Sequence, residues 1–367
     1  MRQFQQENPD ILVSSEYLPT EAYLEKLDLS LQTGDAPDVF MMSSGMTARF
    51  ISGSAPFLRL DALDRDGAFK DCRTALLTPI SKYGAKYGMP VSLSMRMLFY
   101  NKDILRQYGI PYPSETEPLS WEALISILES LKNASDSRYT AVIPMAARPE
   151  DLMESLLQAY QTPLFSDTVN QNTSVLVRSR ATAAFGVLDE LYREGLISTF
   201  DNDTDNALRG GNFAFAYAGA WTIPILNEAY IDYGTIPLPS ATARGPTAEV
   251  NYLMISPDCQ KQEAAWRLVE WFATKGQRYM RSTAEFPAHS AYDPMAVARS
   301  AQSGLHRTFD SERNQIVPAL AIANPIIKSE YLRCVRGIAD GSLKPDEAVS
   351  GLITVLNAEL GKGQINE

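Results

Sequence analysis

The sequence predicts an α/β fold with mainly parallel sheets flanked by helices, and three observations carry that expectation. Short apolar or alternating runs of strand type recur between amphipathic helical stretches, and the chain closes on a purely helical tail. Its 367 residues also exceed what one hydrophobic core usually organises, so two lobes are expected, together burying roughly 75% of the unfolded surface.

The elements follow in order. Arg2 to Glu7 reads as one short helix ended by Asn8-Pro9, and Ile11 to Ser15 as a β-prone run. Tyr23 to Leu31 is helical and is stopped by Gly34. Val39 to Met42, too short for a helix and apolar throughout, reads as a strand buried on both faces. Its C-terminal end, where such sheets place ligands, carries Ser43, Ser44 and Gly45. A β-prone run then ends at Tyr100, followed by a helix from Asn101 to Tyr108 that stops at Gly109. Ser120 caps a helix whose apolar stripe is Leu124, Ile127, Leu128 and Leu131. Arg138 to Met145 is a strand, Glu150 to Tyr160 and Ser179 to Arg193 are helices, and Phe213, Phe215 and Tyr217 alternate with alanines in a narrow strand. Strands at Tyr233 to Pro239 and Tyr252 to Ser256 precede helices at Gln262 to Ala273, Lys275 to Thr283, Ser329 to Ala339 and Pro345 to Leu360.

Composition narrows the function. Thirty-three basic against 44 acidic residues give a net charge of −11, a surface that repels nucleic acid and anionic membranes. Cys72, Cys259 and Cys334 stand singly, without the spacing of a zinc site or a disulfide framework. Only two histidines occur, His289 and His306, with no HExxH spacing. GxSxG, Walker and GxGxxG signatures are all missing, so no metal or cofactor is expected. The N-terminal stretch has no signal-peptide pattern, and no run reaches the ~18 apolar residues of a membrane span. Taken alone, those two features point to the cytoplasm. A carboxylate pair of the glycosidase kind stays open as an alternative, because 44 acids make some close pair inevitable. Trp221 follows Gly219-Ala220 at a strand exit, where an indole face offers a flat apolar platform and an N–H donor to a sugar ring.

Several motifs in order resemble the carbohydrate-binding group of bacterial extracellular solute-binding proteins, which includes maltose-binding proteins. They are GDAPDVF at 34–40, Gly53 through PFLRLDAL, KYGMP, LFYNKDIL at 98–105, SWEAL at 120–124, GGNFAFAYAGAW at 210–221, YGTIPLP at 233–239, QEAAWRLVEWFA at 262–273, FPAHS at 286–290 and KPDEAV. The resemblance spans essentially the whole chain. It implies a two-lobed periplasmic-binding-protein fold, type II-like, with a ligand cleft between lobes that close by hinge bending. The lobes would comprise residues 1–102 plus 256–305, and 103–255 plus 306–367. The implied function is that of the non-enzymatic substrate-binding component of an ABC importer. Such a protein is an extracytoplasmic monomer, in the periplasm or anchored at the cell surface as a lipoprotein, that takes a sugar to membrane permease subunits. A non-sugar solute such as a polyamine remains an alternative.

The resemblance also implies ligand-binding positions: Ser43, Ser44 and Gly45; Ser94, where the family often carries a carboxylate, with Arg96 as a substitute donor; Arg148 and Glu150; the stacking tryptophan Trp221; and Asn251 with Tyr252, in a stretch that is often glycine-rich. Arg96, Arg148 and Glu150 leave a charged ligand such as a uronic acid oligomer open. For His289 a satisfied histidine is preferred to a ligand contact. Relatives begin with a signal sequence and a strand ahead of the first helix. The expectation is therefore that upstream sequence encodes both, with a lipoprotein cysteine.

Overall fold

A computed structural model of the protein describes residues 1–51, 57–136, 142–166, 171–199, 208–239, 241, 246–282, 285–289 and 303–361. The strands are β1 (Val39–Ser43), β2 (Ser81–Lys82), β3 (Ala85–Lys86), β4 (Met89–Asn101), β5 (Ile143–Ala147), β6 (Ile197–Thr199), β7 (Phe213–Gly219), β8 (Tyr233–Ile236), β9 (Thr247–Ile255), β10 (Phe286–Pro287) and β11 (Val317–Pro318). The helices are α1 (Arg2–Glu7), α2 (Thr20–Thr33), α3 (Ser44–Ile51), α4 (Thr74–Leu77), α5 (Lys102–Gln107), α6 (Trp121–Asp136), α7 (Pro149–Ala159), α8 (Arg178–Arg193), α9 (Thr222–Glu228), α10 (Gln262–Ala273), α11 (Ser303–Glu312), α12 (Pro325–Ala339) and α13 (Pro345–Leu360).

The organising element is β4, whose 13 residues, all buried, extend roughly 43 Å at ordinary strand rise. Up to Met95 it pairs with β9, and β10 lies on its other edge. From Arg96 onward it pairs with β7, and β8 takes the other edge. One strand thus carries two half-sheets, β1-β9-β4 and β4-β7-β5-β6, and the exchange of partners falls between Met95 and Arg96. Asn101 ends the strand and starts α5, its side-chain oxygen accepting from the amides of Asp103 and Ile104.

The alternation of β4 explains its placement. Leu93, Met95, Met97 and Phe99 all enter one large apolar core, with Phe40, Met42, Val250, Met254 and the α10 residues Trp266 and Val269. Leu98 and Tyr100, on the opposite face, enter a second core with α6, α7, α8 and the C-terminal pair α12 and α13. Ile327, Val335, Leu352 and Leu356 of that pair are almost fully buried, each contributing about 1.5–3 kcal/mol. What remains of the second face, at Ser92, Ser94 and Arg96, is polar.

Three expectations need correction. The sheet is mixed: β5 runs parallel to β6 and β7, and β11 to β9, but β4 runs antiparallel to β7, β8, β9 and β10, and β1 antiparallel to β9. The alternation of strands and helices says nothing about a strand shared by two half-sheets, and β4 is such a strand. Just before the lobe boundary expected at 256, Ala248, Val250 and Tyr252 of β9 sit in the first core, held against β1. Beyond the boundary expected at 305, Phe309 of α11 and Ile316 are in that core too. Finally, the β-prone run Ile11 to Ser15 joins no ladder; Ile11 and Val13 instead pack on a small cluster of Phe4, Leu268 and Trp271. Residues 275–282 form a 3₁₀ rather than an α-helix. Residues 138–141, Thr283, Gly53 and Ser290, parts of expected elements or motifs, lie outside the described residues.

Candidate functional site

In an antiparallel pair, residues directly opposite each other point to the same face of the sheet. The register places Ser92 opposite Asn251, Ser94 opposite Glu249, Arg96 opposite Gly219, and Ser43 opposite Asn251. With Thr247 two residues before Glu249 and Tyr217 two before Gly219, one polar strip crosses β1, β9, β4 and β7 where β4 changes partners. Asn251 donates to Ser92 Oγ at 3.0 Å and to Glu285 at 2.9 Å. Helix α3 covers one end of the strip: Gly45 N donates to Glu249 at 2.9 Å, and Ser44 Oγ accepts from Val250 N. Helix α7 covers the other.

Arg96 is the centre of charge. Its guanidinium donates to Asp151 at 3.0 Å and to Thr247 Oγ1 at 3.1 Å and lies 3.5 Å from Glu154. Burial pushes this guanidinium down, but the charges of Asp151 and Glu154 more than offset it and hold it above its ordinary value. Burial drives the Glu154 carboxyl up to about 7, against the pull of Arg96 and of the Leu320 amide that donates to it. Ser155 hydrogen-bonds Thr247 at 2.9 Å and also bonds the Tyr217 hydroxyl, so α7, β4, β7 and β9 meet in one network. Two buried polar atoms in the strip, Ser94 Oγ and Arg96 Nε, have no hydrogen-bond partner among the described residues. An orphaned buried donor costs about 1–3 kcal/mol, so either atom would gain from a hydrogen-bond partner.

Beside Arg96 lies Trp221. A Cβ on Gly219 would stand 1.7 Å from Cζ3 and 2.0 Å from Cε3 of its indole, so the ring occupies the space that a side chain at 219 would fill. It therefore rests on the strip's own face, next to Arg96. At 39% exposure it is also open, whereas Trp121, Trp266 and Trp271 are at most 6% exposed. An apolar plate adjoining orphaned hydrogen-bonding groups is the arrangement that a sugar ring, with one C–H face and a rim of hydroxyls, can satisfy.

The structure thus brings together Ser43, Ser44, Gly45, Ser94, Arg96, Asn251 and Trp221. Of these, the Ser44 hydroxyl is engaged by backbone. Tyr252 is a correction: it is fully buried in the first core and its hydroxyl donates to Leu76 O, because neighbours along a strand face opposite ways and Asn251 takes the strip side. Glu150 also turns elsewhere, to Arg336 of α12 at 3.6 Å, and Arg148 is exposed ahead of α7. His289, buried and bridged to Cys72, lies 3.6 Å from Asp71. Sequence reading missed Asp151, Glu154, Ser155, Tyr217, Thr247 and Glu249. The first three share one helix face at 3.6-residue spacing, and that period was the available signal.

Comparison with known proteins now bears on this geometry. Residues 2–279 match the family described as bacterial extracellular solute-binding protein. The chain belongs to that family. The resemblance read from its motifs is borne out, and the family is one of binding proteins rather than enzymes. This solute-binding protein is 23% identical over 310 residues to the maltodextrin-binding protein of Bacillus subtilis, a match covering 78% of this chain and 69% of the relative. Its fold is that of an ABC substrate-binding protein from Listeria monocytogenes solved in complex with cycloalternan: TM-score 0.78, 18% identity, covering 98% of this chain and 94% of that one. UgpB from Mycobacterium tuberculosis, solved in complex with glycerophosphocholine, is also similar, at TM-score 0.74 and 17% identity over 97% and 92%. The two-lobed fold therefore holds here, while its ligands differ between neighbours. Among the described residues no helix is long and apolar enough to cross a membrane.

Proposed function

We propose that this protein binds a saccharide in the strip between its two halves and presents it to the permease of an ABC importer outside the cytoplasm, without transforming it. The first half comprises the elements up to Met95 and those from β9 to α11; the second runs from Arg96 to β8 and resumes with α12 and α13. β4, common to both half-sheets, and residues 313–324 connect them. The observation that carries the reading is the open indole of Trp221 lying over Gly219, on the same sheet face as the buried Ser94 Oγ and Arg96 Nε, which have no partner among the described residues. The arrangement of Asp151 and Glu154 supports binding over hydrolysis, since both carboxylates engage one guanidinium instead of flanking a free gap.

Titration of the protein with maltotriose, maltotetraose and other neutral oligosaccharides, followed by calorimetry, tests the proposal. The expected result is saturable binding that Trp221→Ala weakens about 30-fold or more, the loss of a buried aromatic anchor. Recovery of cleaved sugar after prolonged incubation, or equal affinity in the variant, would count against it.

A further inference from the structure

The sequence leaves the charge of the ligand open, since Arg96 and Arg148 are the kind of residue that clamps a carboxylate. We infer that the cleft selects against acidic saccharides and takes a neutral or amine-bearing one, with Glu249 as the specificity-determining acceptor; this rests on the saccharide reading above.

Three observations support it. Arg96 is engaged internally: Nη2 donates to Asp151, and Nη1 donates to Thr247 and lies 3.5 Å from Glu154, while Nε has no partner among the described residues. A carboxylate arriving at this guanidinium competes with Asp151 and Glu154, which already stand 3.0 and 3.5 Å from it. Second, among the described residues Asp151, Glu154 and Glu249 face Arg96 across the strip, so this part of the lining is negative on balance even with Glu154 protonated. Third, Ser94, only 7% exposed and with its hydroxyl unpartnered among the described residues, stands directly opposite Glu249 on the same sheet face. Glu249 itself accepts the Gly45 amide on Oε1, and its second oxygen accepts no hydrogen bond from the described residues. A guest reaching Ser94 therefore meets a carboxylate acceptor beside it. A hydroxyl or an ammonium donates to Glu249 there, whereas a carboxylate or sulfate on the sugar is brought against a like charge in a poorly solvated site. Arg96 then acts as a positioning residue that holds α7 to the strip.

Calorimetric titrations at one salt concentration with maltotriose, the glucosamine trisaccharide and trigalacturonate, on wild type and Glu249→Gln, separate the outcomes. The wild type is expected to bind at least one of the first two and to bind trigalacturonate at least about 30-fold more weakly. The Glu249→Gln variant should narrow that gap by about 10-fold, with its melting temperature close to that of the wild type. Wild-type binding of trigalacturonate as tight as that of either other probe overturns the inference and leaves the saccharide reading standing; so does an unchanged gap in the variant. Heat from none of the three, with glycan-array silence across neutral and amine-bearing sugars, overturns the saccharide reading and this inference together.

Discussion

Gly219→Ala is the substitution whose outcome the structure specifies most sharply. Away from any contact, replacing a strand glycine by alanine stabilises a protein by about 0.5–1 kcal/mol, because glycine loses more conformational freedom on folding. Gly219 has no positive φ to protect, so its backbone accepts alanine. The obstacle is Trp221: the new methyl would stand 1.7 Å from Cζ3, and ordinary van der Waals contact starts at 3.4 Å. The ring must withdraw by about 1.7 Å, and overpacking of this kind costs about 1–3 kcal/mol when the ring cannot leave. Trp221 is part-exposed, so it is expected to swing off the strip. With overpacking at its low end, about 1 kcal/mol, and the glycine-to-alanine gain subtracted, the net loss of stability is about 0–0.5 kcal/mol, while the platform is removed and ligand affinity drops by about 2 kcal/mol, roughly 30-fold. Acrylamide quenching reads the ring directly, because the other three tryptophans are buried. The variant should show faster quenching, a slightly lower Tm and the weakened Kd. A Tm raised as for an unhindered glycine-to-alanine change, with quenching and Kd unaltered, would show that the indole does not rest on Gly219.

Two further perturbations test other parts of the site. The Glu154 carboxyl sits in the folded protein at about 7, above its ordinary 4.5, with burial as the main cause. The folded state therefore holds that proton more tightly than the unfolded chain. Its contribution to stability is fully present below about pH 4.5 and is lost as the pH rises through about 7. Urea melts from pH 4.5 to 8 should show this decline superimposed on that of the other groups, and Glu154→Gln should flatten it; a variant with an unchanged pH profile refutes the assignment. For Tyr252→Phe, the lost bond to the Leu76 carbonyl in the first core should cost about 1–3 kcal/mol in chemical denaturation, with ligand affinity within about twofold of wild type. A selective loss of affinity would return Tyr252 to the binding surface.

The amino-acid order by itself determined what depends on short spacings. Gly34 and Gly109 end helices with left-handed backbone, Asn101 caps α5, and the Leu124, Leu128, Leu131 stripe is buried as its period requires. The run SLSMR also carries in its alternation the information that Ser92, Ser94 and Arg96 share one face and Leu93 and Met95 the other. Motif order sufficed for the family. Only the tertiary structure decided which segments lie opposite that face. Glu249 meets Ser94 and Gly45, Thr247 meets Arg96, and Asp151 and Glu154 turn their carboxylates on the same guanidinium, over separations along the chain at which no local pattern sets a register. The same holds for Tyr252, which a one-residue step puts in the core, and for β4, whose two sets of partners make it the common strand of both halves. Local periodicity says which residues share a side of a strand. What that side faces is set by the packing of distant segments, where burial and pairing are settled together.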